Sequence, residues 1–328
     1  METKCILPVE TPKLCTYHFE ATACIVGSYN PTFINWIHNQ SINISCGTLF
    51  LSGFGSPKLI IDSTDYCKIP HFEKNRISAE TCRPNFKNFI EESINNGYYV
   101  AFENVDDYYI ENKTWYGRRH FFHDGLIVGY DNIESKYYIA AYDSRWVYRV
   151  FETSQEAFFK GVDVAPKSNR YSRLTSLKIK DDNILLKETQ ILKGLKKYIN
   201  SEKTESSINN INGLETFKYI DKYLQYLYED RIPFEKTDYR IMRVVWEHKK
   251  CMLERIQVLE KEFMLSSEIS LDYANLVKRS DDIRMIYSNY CITGRKNLLE
   301  TIRRELSKIT QEERKLIIKL INEIEKER

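Results

Sequence analysis

Residues 123–143 read HDGLIVGYDNIESKYYIAAYD, and this stretch decides the fold of the first half of the chain. Two runs rich in apolar, β-branched and aromatic residues, 123–130 and 137–142, flank a polar segment that contains Asp, Asn and Ser. Runs of this length, separated by turn residues, predict a β-hairpin. Because the first run begins at His123 and the second ends beside Asp143, we expect these two side chains to meet at the open end of the hairpin.

Short elements of both kinds surround the hairpin. Residues 16–28 and 84–95 place apolar side chains at helical spacing, which predicts two amphipathic helices. Residues 98–103 form an apolar run after an Asn-Gly turn and predict a strand. The Gly-rich residues 45–61 predict strand and turn. The first half of the chain is therefore predicted to be an α+β domain.

The composition changes near residue 180, where charged and longer periodic segments begin. Their apolar residues recur every three or four positions, which predicts helices with solvated charged faces. We therefore expect a first domain at residues 1–180 and an α-helical C-terminal domain at residues 181–328, with a loop at 201–212. The predicted helices span residues 184–200, 213–230, 237–262, 268–290 and 297–326.

The charge and hydropathy of the chain argue against several classes of function. Its 328 residues include 48 basic and 46 acidic side chains, and this net charge of +2 gives no field that would attract nucleic acid or a membrane surface. No apolar run reaches the roughly 18 residues of a membrane-spanning helix, and the N-terminus lacks the apolar region of a signal peptide. We therefore expect a cytoplasmic protein whose 8 cysteines are mostly reduced.

Cys15 and His123 are the candidate catalytic pair. Cys15 stands where the helix over residues 16–28 is predicted to start, and a helix N-terminus favours the thiolate, the nucleophilic form of cysteine. Its backbone N–H is also a candidate donor to an oxyanion. His123 is the candidate base, and Asp143 the candidate partner that holds the imidazole tautomer. Gly125 and Gly129, on the same face of the strand as His123, leave room for a helix N-terminus to approach the imidazole.

Each of these residues has an alternative interpretation. Cys15 is also compatible with a small buried side chain that only packs. His120 replaces His123 as the base if the strand begins earlier. Asp131 and Asn132 compete with Asp143 for the orienting role, although they resemble turn residues. Asp143 itself is compatible with a turn residue that ends the strand.

No metal site is predicted. The chain has no CxxC spacing, and the HxxH pair formed by His120 and His123 has no third ligand nearby. Cys15 and His18 resemble half of a metal site, but His18 is more simply explained as a core residue or a pocket wall, one turn into the predicted helix.

Aromatic residues are concentrated just before His123. Aromatic side chains usually belong to the core, yet these also suit the wall of a pocket for an aromatic or extended substrate. The candidate substrate-binding residues are Tyr108, Tyr109, Trp115 and Tyr116.

The order and spacing of these segments resemble a known family. Cys15 with its helix, the His123 strand and the segment 137–143 resemble the Cys, His and Asp segments of papain-fold proteins of the C39-like clan. The narrower resemblance is to the butirosin biosynthesis protein H family. Two further segments are similar to that family: ISCGTLFLSGFG at 44–55, and NGYYVAFENVDDYY at 96–109.

The resemblance covers residues 10–165 by motif and the rest by architecture. It implies a papain-like cysteine protease fold with an additional α-helical C-terminal domain. It also implies acyl transfer in antibiotic biosynthesis: an acyl group moves from a carrier-protein thioester to the cysteine, and then to an amine. The protein would need no cofactor of its own, because phosphopantetheine arrives on an acyl or peptidyl carrier protein. The aromatic segment is compatible with an aroyl group, as in the closthioamide-type hydroxybenzoyl transferases of that family.

One departure from the papain pattern bears on the chemistry. Papain-like peptidases place a Gln shortly before the nucleophile as an oxyanion donor, and residues 9–12 read VETP instead. Backbone N–H groups would then have to stabilise the oxyanion. A thioester is more reactive than a peptide bond, so its reaction requires less oxyanion stabilisation. The alternatives to the transferase are a cysteine hydrolase on the same fold and a noncatalytic binding protein.

Overall fold

The predicted hairpin is present in the computed structural model. Strand β6 (Phe122–Asp131) runs antiparallel to β7 (Lys136–Tyr142), and β8 (Tyr148–Ser154) follows on the far side of β7. The turn between β6 and β7 is held by the Asp131 carboxylate, which accepts hydrogen bonds from the backbone N–H groups of Ile133 and Glu134, at 3.0 Å each. This is the local pairing that Asp favours in turns.

The hairpin lies inside an antiparallel sheet of seven strands within the described residues, which are 3–78, 85–164, 173–204 and 211–327. The remaining strands of this sheet are β1 (Lys4–Ile6), β4 (Phe72–Ser78), β5 (Tyr99–Asp106) and β9 (Arg173–Ile179). The strand order is β4-β9-β5-β6-β7-β8, and β1 also pairs with β6. The predicted strand at 98–103 is confirmed as β5.

Three helices cover this sheet. Helix α1 (His18–Gly27) contacts β6 and β9, α3 (Phe86–Asn95) contacts β5 and β6, and α4 (Gln155–Asp163) contacts β5, β7 and β8. Apolar side chains such as Ile90 and Phe158 are fully buried against the strands. The helical spacing of these residues therefore produced one apolar face per helix, which the sheet removes from water.

The second half of the chain forms the expected helices. All five predicted spans are occupied by helices, and the largest shift at a start is four residues. These helices are α5 (Glu188–Asn200), α6 (Glu215–Tyr228), α7 (Ile241–Glu262), α8 (Glu268–Thr293) and α9 (Asn297–Lys326). Helix α8 packs against both α7 and α9.

The prediction that the charged residues of these helices are solvated is wrong for five of them, because Glu247, Lys249, Arg255, Glu260 and Glu313 are buried. Lys249 and Glu313 are fully buried and form an ion pair at 2.7 Å. Arg255 is fully buried and donates to the backbone carbonyls of Ile37, His38 and Ser41. These carbonyls lie at the end of helix α2 (Phe33–Gln40), where the negative end of the helix dipole favours a cation.

The chain divides into two compact units that are not contiguous in sequence. The first contains Met1–Phe33 and Asp65–Asn183, and the second contains Ile34–Thr64 and Ile184–Arg328. The expected first domain at 1–180 therefore needs a correction, because residues 34–64 belong to the second unit. There, the segment 45–61 does supply strands, in a small sheet of order β10-β2-β3, formed by β2 (Ile44–Cys46), β3 (Leu59–Ile61) and β10 (Ile211–Asn212).

None of the helices in the described ranges combines the length and the apolar character that crossing a bilayer requires.

Candidate active site

The Cys15 segment leads into helix α1, but the helix starts later than predicted. Helix α1 begins at His18, with Tyr17 as the N-cap. The carboxylate of Glu20 accepts a hydrogen bond from the Tyr17 backbone N–H at 3.2 Å, which is one half of a capping box. Cys15 therefore lies two residues before the N-cap, and its own amide is not one of the first-turn amides of the helix. The prediction that the helix starts at Cys15 is corrected in this respect.

His18 joins the start of α1 to the hairpin. Its ring stands edge-on to the ring of His123, with 4.8 Å between centroids and an interplanar angle of 79°. The rings of Tyr142 and Tyr148 lie 5.6 and 5.8 Å from His18. His18, which the sequence left as a core residue or pocket wall, is thus in direct contact with the candidate base. The chain reaches this contact three residues after Cys15.

Cys15 is itself anchored to the sheet. The Tyr142 hydroxyl donates a hydrogen bond to the backbone carbonyl oxygen of Cys15 at 2.5 Å. Burial raises the pKa of the Tyr148 phenol, and negative charge on Cys15 and Cys24 raises it further. The cysteine is half-buried, between a fully buried Leu14 and a buried Thr16. The backbone carbonyl of Cys15 therefore lies at the end of β7.

Burial disfavours the thiolate form of four other cysteines. Burial raises the pKa of Cys46, Cys251 and Cys291 to about 12, so these thiols stay protonated at neutral pH. Burial also raises the pKa of Cys67. The seven cysteines of the described residues are thiols rather than disulfides, and Cys82 lies outside those residues.

The partner of His123 is Asp107. The Nδ1 atom of His123 lies 3.2 Å from Oδ2 of Asp107, which is buried at the start of a short 3-10 turn that follows β5. Val105, two residues earlier, is the residue opposite His123 in the β5–β6 ladder. A carboxylate at Nδ1 favours the neutral tautomer that carries its proton on that nitrogen, and this tautomer leaves Nε2 as the basic atom. The sequence did not single out Asp107; the only signal is an Asp-Asp doublet at the end of a strand.

Asp143 is not the partner of His123 in this structure. Its carboxylate accepts hydrogen bonds from the backbone N–H groups of Arg145 and Val147 at 2.8 and 3.0 Å, and from Arg149 Nε at 2.6 Å. Burial would raise the pKa of Asp143, but these hydrogen bonds outweigh it and hold the pKa below its usual value. Asp143 therefore fits the alternative interpretation, a turn residue that closes the connection from β7 to β8.

The strand register explains why the sequence argument failed. Continuing the β6–β7 pairing would place Asp143 opposite His123, but the last paired residues in that direction are Leu126 and Ala140. The two strands separate before they reach the histidine. The ladder on the other side of β6 continues to His123, so the carboxylate comes from the end of β5.

The space beside Gly125 and Gly129 is also filled by other groups than we expected. The ring of Phe102 stands where a side chain on Gly125 would lie, within 2.5 Å of an ideal Cβ. The backbone of β1 occupies the space beside Gly129, within 2.7 Å. The small residues on β6 therefore admit an aromatic ring and a neighbouring strand, rather than the helix end that we expected.

A second histidine–aspartate pair lies next to the first. Nδ1 of His120 lies 2.6 Å from Oδ2 of the fully buried Asp106, and the His120 ring stacks on Tyr108 with centroids 4.5 Å apart. The imidazole of His120 is 59% exposed, against 29% for His123. The His123 ring contacts His18, the first residue of α1. His123 therefore lies beside the start of the helix that follows Cys15.

Three of the four predicted pocket residues share a cavity. Tyr108, Tyr109 and Tyr116 line a space of about 690 Å³, whereas Trp115 packs against Phe121 and the guanidinium of Arg119. The cavity lining includes more carboxylates than ammonium groups, which favours a positively charged occupant. The charged residues of the lining are Glu111, Glu134, Glu152, Glu156, Lys136 and Lys160.

This cavity is separate from the candidate catalytic residues: its lining includes neither Cys15 nor His123. Within the described ranges, no group of three or more His, Cys, Asp or Glu side chains is arranged to hold a metal ion. Neither a protein-family model nor a curated protein sequence matches the chain.

Proposed function

We propose that this protein is a cysteine-dependent acyltransferase, with Cys15 as nucleophile, His123 as base and Asp107 as the group that orients His123. One observation carries the proposal: an imidazole held at Nδ1 by a buried carboxylate also touches the first residue of the helix that follows Cys15. A base oriented by a third group beside a cysteine segment is the arrangement of nucleophilic catalysis. We further propose that the first unit has a papain-like fold and that the chain is of the butirosin biosynthesis protein H type.

In the proposed reaction, His123 Nε2 accepts the Cys15 thiol proton and the thiolate attacks the carbonyl carbon of a carrier-protein thioester. The tetrahedral intermediate collapses, and the phosphopantetheine thiol of the carrier leaves with the proton from His123. The acyl group is then a thioester of Cys15. An amine attacks that carbonyl and gives its proton to His123, an amide forms, and the Cys15 sulfur leaves and is reprotonated.

The partners follow from this chemistry. The acyl donor is an acyl or peptidyl carrier protein that brings its own phosphopantetheine, and the acceptor is a small amine. We propose an acyl or aroyl amide product in antibiotic biosynthesis, made in the cytoplasm, where thiols stay reduced.

Intact-protein mass spectrometry with a panel of acyl-loaded carrier proteins tests the proposal. We expect a mass gain equal to the acyl group on the wild-type protein, no gain on Cys15→Ala, and a strongly slowed gain on His123→Ala. An added amine should remove the acyl group as amide. Cys24→Ala and His120→Ala are the matched controls, because they remove the same kinds of group from the same region and should keep the gain.

The other outcomes decide between functions. Discharge of the acyl group only as free acid would replace the transferase with a hydrolase. A gain that persists in Cys15→Ala would remove Cys15 from the mechanism. The absence of any gain, together with a Cys15 thiol that does not react with an alkylating agent at neutral pH, would indicate a noncatalytic binding protein.

A further inference from the structure

A buried lysine lies behind the His123–Asp107 pair. Lys113 belongs to the segment that connects β5 to β6, and its side chain is 2% exposed. Its Nζ atom lies 3.6 Å from Oδ1 of Asp107 and 5.9 Å from the centroid of the Phe151 ring. Among the described residues, this ammonium group has no hydrogen-bond partner. A long cationic side chain in such a position requires an explanation, because burying a charge is costly unless the charge is compensated.

The surroundings of Lys113 supply the compensation. Burial lowers the pKa of Lys113, and the nearby carboxylates of Asp107, Asp124 and Asp143 act in the opposite direction, with Asp107 the strongest. The hydrogen bonds of Asp143 go to its own turn, so Asp107 is the carboxylate that meets the ammonium directly. The lysine is therefore a counter-charge for Asp107.

Asp107 consequently faces two nitrogen groups from different parts of the fold. Its Oδ2 atom faces Nδ1 of His123, and its Oδ1 atom faces Nζ of Lys113. A carboxylate next to an imidazole stabilises the protonated, positively charged ring. A positive charge on the other side of the same carboxylate reduces that stabilisation, because the cation repels the imidazolium.

We propose that Lys113 is a positioning residue of this site: its ammonium group fixes the Asp107 carboxylate and offsets its charge, so that His123 releases its proton at a lower pH than it would beside Asp107 alone. A base must be neutral to accept a proton, so the lysine would enlarge the pH range in which His123 can act. The role in catalysis rests on the proposed function, but the electrostatic effect does not.

The other groups around His123 stay in place during the test. Asp107 faces it from the turn after β5, His18 faces it from α1, and Asp124 is its neighbour on β6, where the carboxylate accepts a hydrogen bond from the Asn104 backbone N–H at 3.2 Å. None of these side chains is changed when Lys113 is replaced. A change in the titration of His123 can then be assigned to the missing ammonium.

The experiment is an NMR titration of the His123 ring carbons, with His123→Gln used to assign the resonances. The variants are Lys113→Met and Lys113→Gln, which remove the charge at similar volume, and Lys113→Arg, which keeps it. We expect both neutral variants to raise the midpoint of His123 by about one pH unit, the size expected for one charge at this range. The arginine variant should titrate like the wild type. Near-UV circular dichroism establishes that each variant is folded.

A midpoint that stays unchanged or falls in a folded neutral variant overturns the proposal. Asp107→Asn gives an independent test, because it keeps Lys113 and removes the carboxylate charge. Its His123 midpoint should fall by more than one unit, since the ring then senses an uncompensated cation; an unchanged midpoint would again overturn the proposal. These readouts need no acyl donor. A failed acyl transfer on Cys15 would therefore leave the titration result standing, and the two failures remain distinguishable.

Discussion

Asp107 and Asp143, the two aspartates considered as partners of His123, differ in the groups that they bind. Asp107 uses one carboxylate oxygen on His123, whereas Asp143 uses both oxygens on its own turn and on Arg149. These three hydrogen bonds hold the Asp143 carboxylate in its own turn. The sequence pattern indicated Asp143 as the partner of His123, whereas the fold places Asp107 beside His123.

The first prediction compares these two residues. Asp107→Asn should slow acylation of Cys15 on the order of 10²- to 10⁴-fold, because an amide can hold the wrong imidazole tautomer. Asp143→Asn should leave that rate near the wild-type value, because Asp143 does not contact His123. Single-turnover acylation followed by mass spectrometry measures both. If Asp143→Asn proves the slower variant, the assignment of Asp107 is wrong.

The second prediction concerns the pH dependence of stability at Asp143. Because the folded-state pKa of Asp143 lies below the ordinary aspartate value of 3.8, the ionised carboxylate contributes stability that is fully present above that value. This stability is lost as the pH falls through the lower, folded-state pKa. Asp143→Asn should therefore be less stable than the wild type at neutral pH, and the difference should shrink as the pH falls below 3.8 and through the folded-state pKa.

Urea unfolding of both proteins at several pH values measures this difference in the free energy of unfolding. Arg149→Met is a useful companion, because it removes the one side-chain donor and keeps the carboxylate. A difference between wild type and Asp143→Asn that does not change with pH would contradict the shifted pKa.

At the scale of elements, the long helices of the second unit are joined by buried polar groups. Glu313 of α9 accepts hydrogen bonds from Lys249 of α7 at 2.7 Å, from Tyr198 of α5 at 3.0 Å and from Tyr273 of α8 at 2.5 Å. Four helices therefore share one carboxylate. Such a network requires each helix to have a single rotation and register, because any slip leaves a buried charge without its partners.

The third prediction tests this network. Lys249→Met should lower the free energy of unfolding by about 3–5 kcal/mol, since it leaves the Glu313 carboxylate buried without a counter-charge. Adding Glu313→Leu should recover much of that loss, because both charges are then gone. Urea denaturation of the two single variants and the double variant measures the coupling. Additive losses would show that the two residues do not act as a pair.

At the scale of the whole molecule, the segment 34–64 belongs with the second half of the chain. Its strand β2 pairs with β10, and the ring of Phe50 lies 5.7 Å from the ring of Tyr223. Phe50 is fully buried by such contacts. The apolar residues of this segment therefore need partners that lie more than 150 positions away along the chain.

The fourth prediction concerns a fragment of residues 1–183. In it, residues 34–64 lose their partners, so we expect binding of a hydrophobic dye and fast amide hydrogen exchange over residues 44–61. The strands at 122–142 should stay protected, because their sheet partners are all within the fragment. Full-length protein is the control. Slow exchange over 44–61 in the fragment would instead support a contiguous first domain.

Local patterns alone predicted a large part of this molecule. The hairpin around β6 and the five helices after residue 184 follow from side-chain periodicity, which is a property of neighbouring residues. The choice of an α+β fold for the first half follows from the same patterns. Cys15 and His123 stood out by residue type and by their places at the starts of predicted elements, and their catalytic roles remain a proposal.

Only the tertiary structure decided which groups meet. Asp107 became the partner of His123 because the β5–β6 ladder continues where the β6–β7 ladder stops, and that depends on strand pairing rather than on sequence spacing. Lys249 is buried because a distant helix supplies the Glu313 carboxylate. Lys113 is buried near the Phe151 ring of another strand, and its carboxylate is that of Asp107, six positions earlier. Periodicity cannot distinguish a charge that faces water from one that faces a counter-charge, since both occupy the same position in the local pattern.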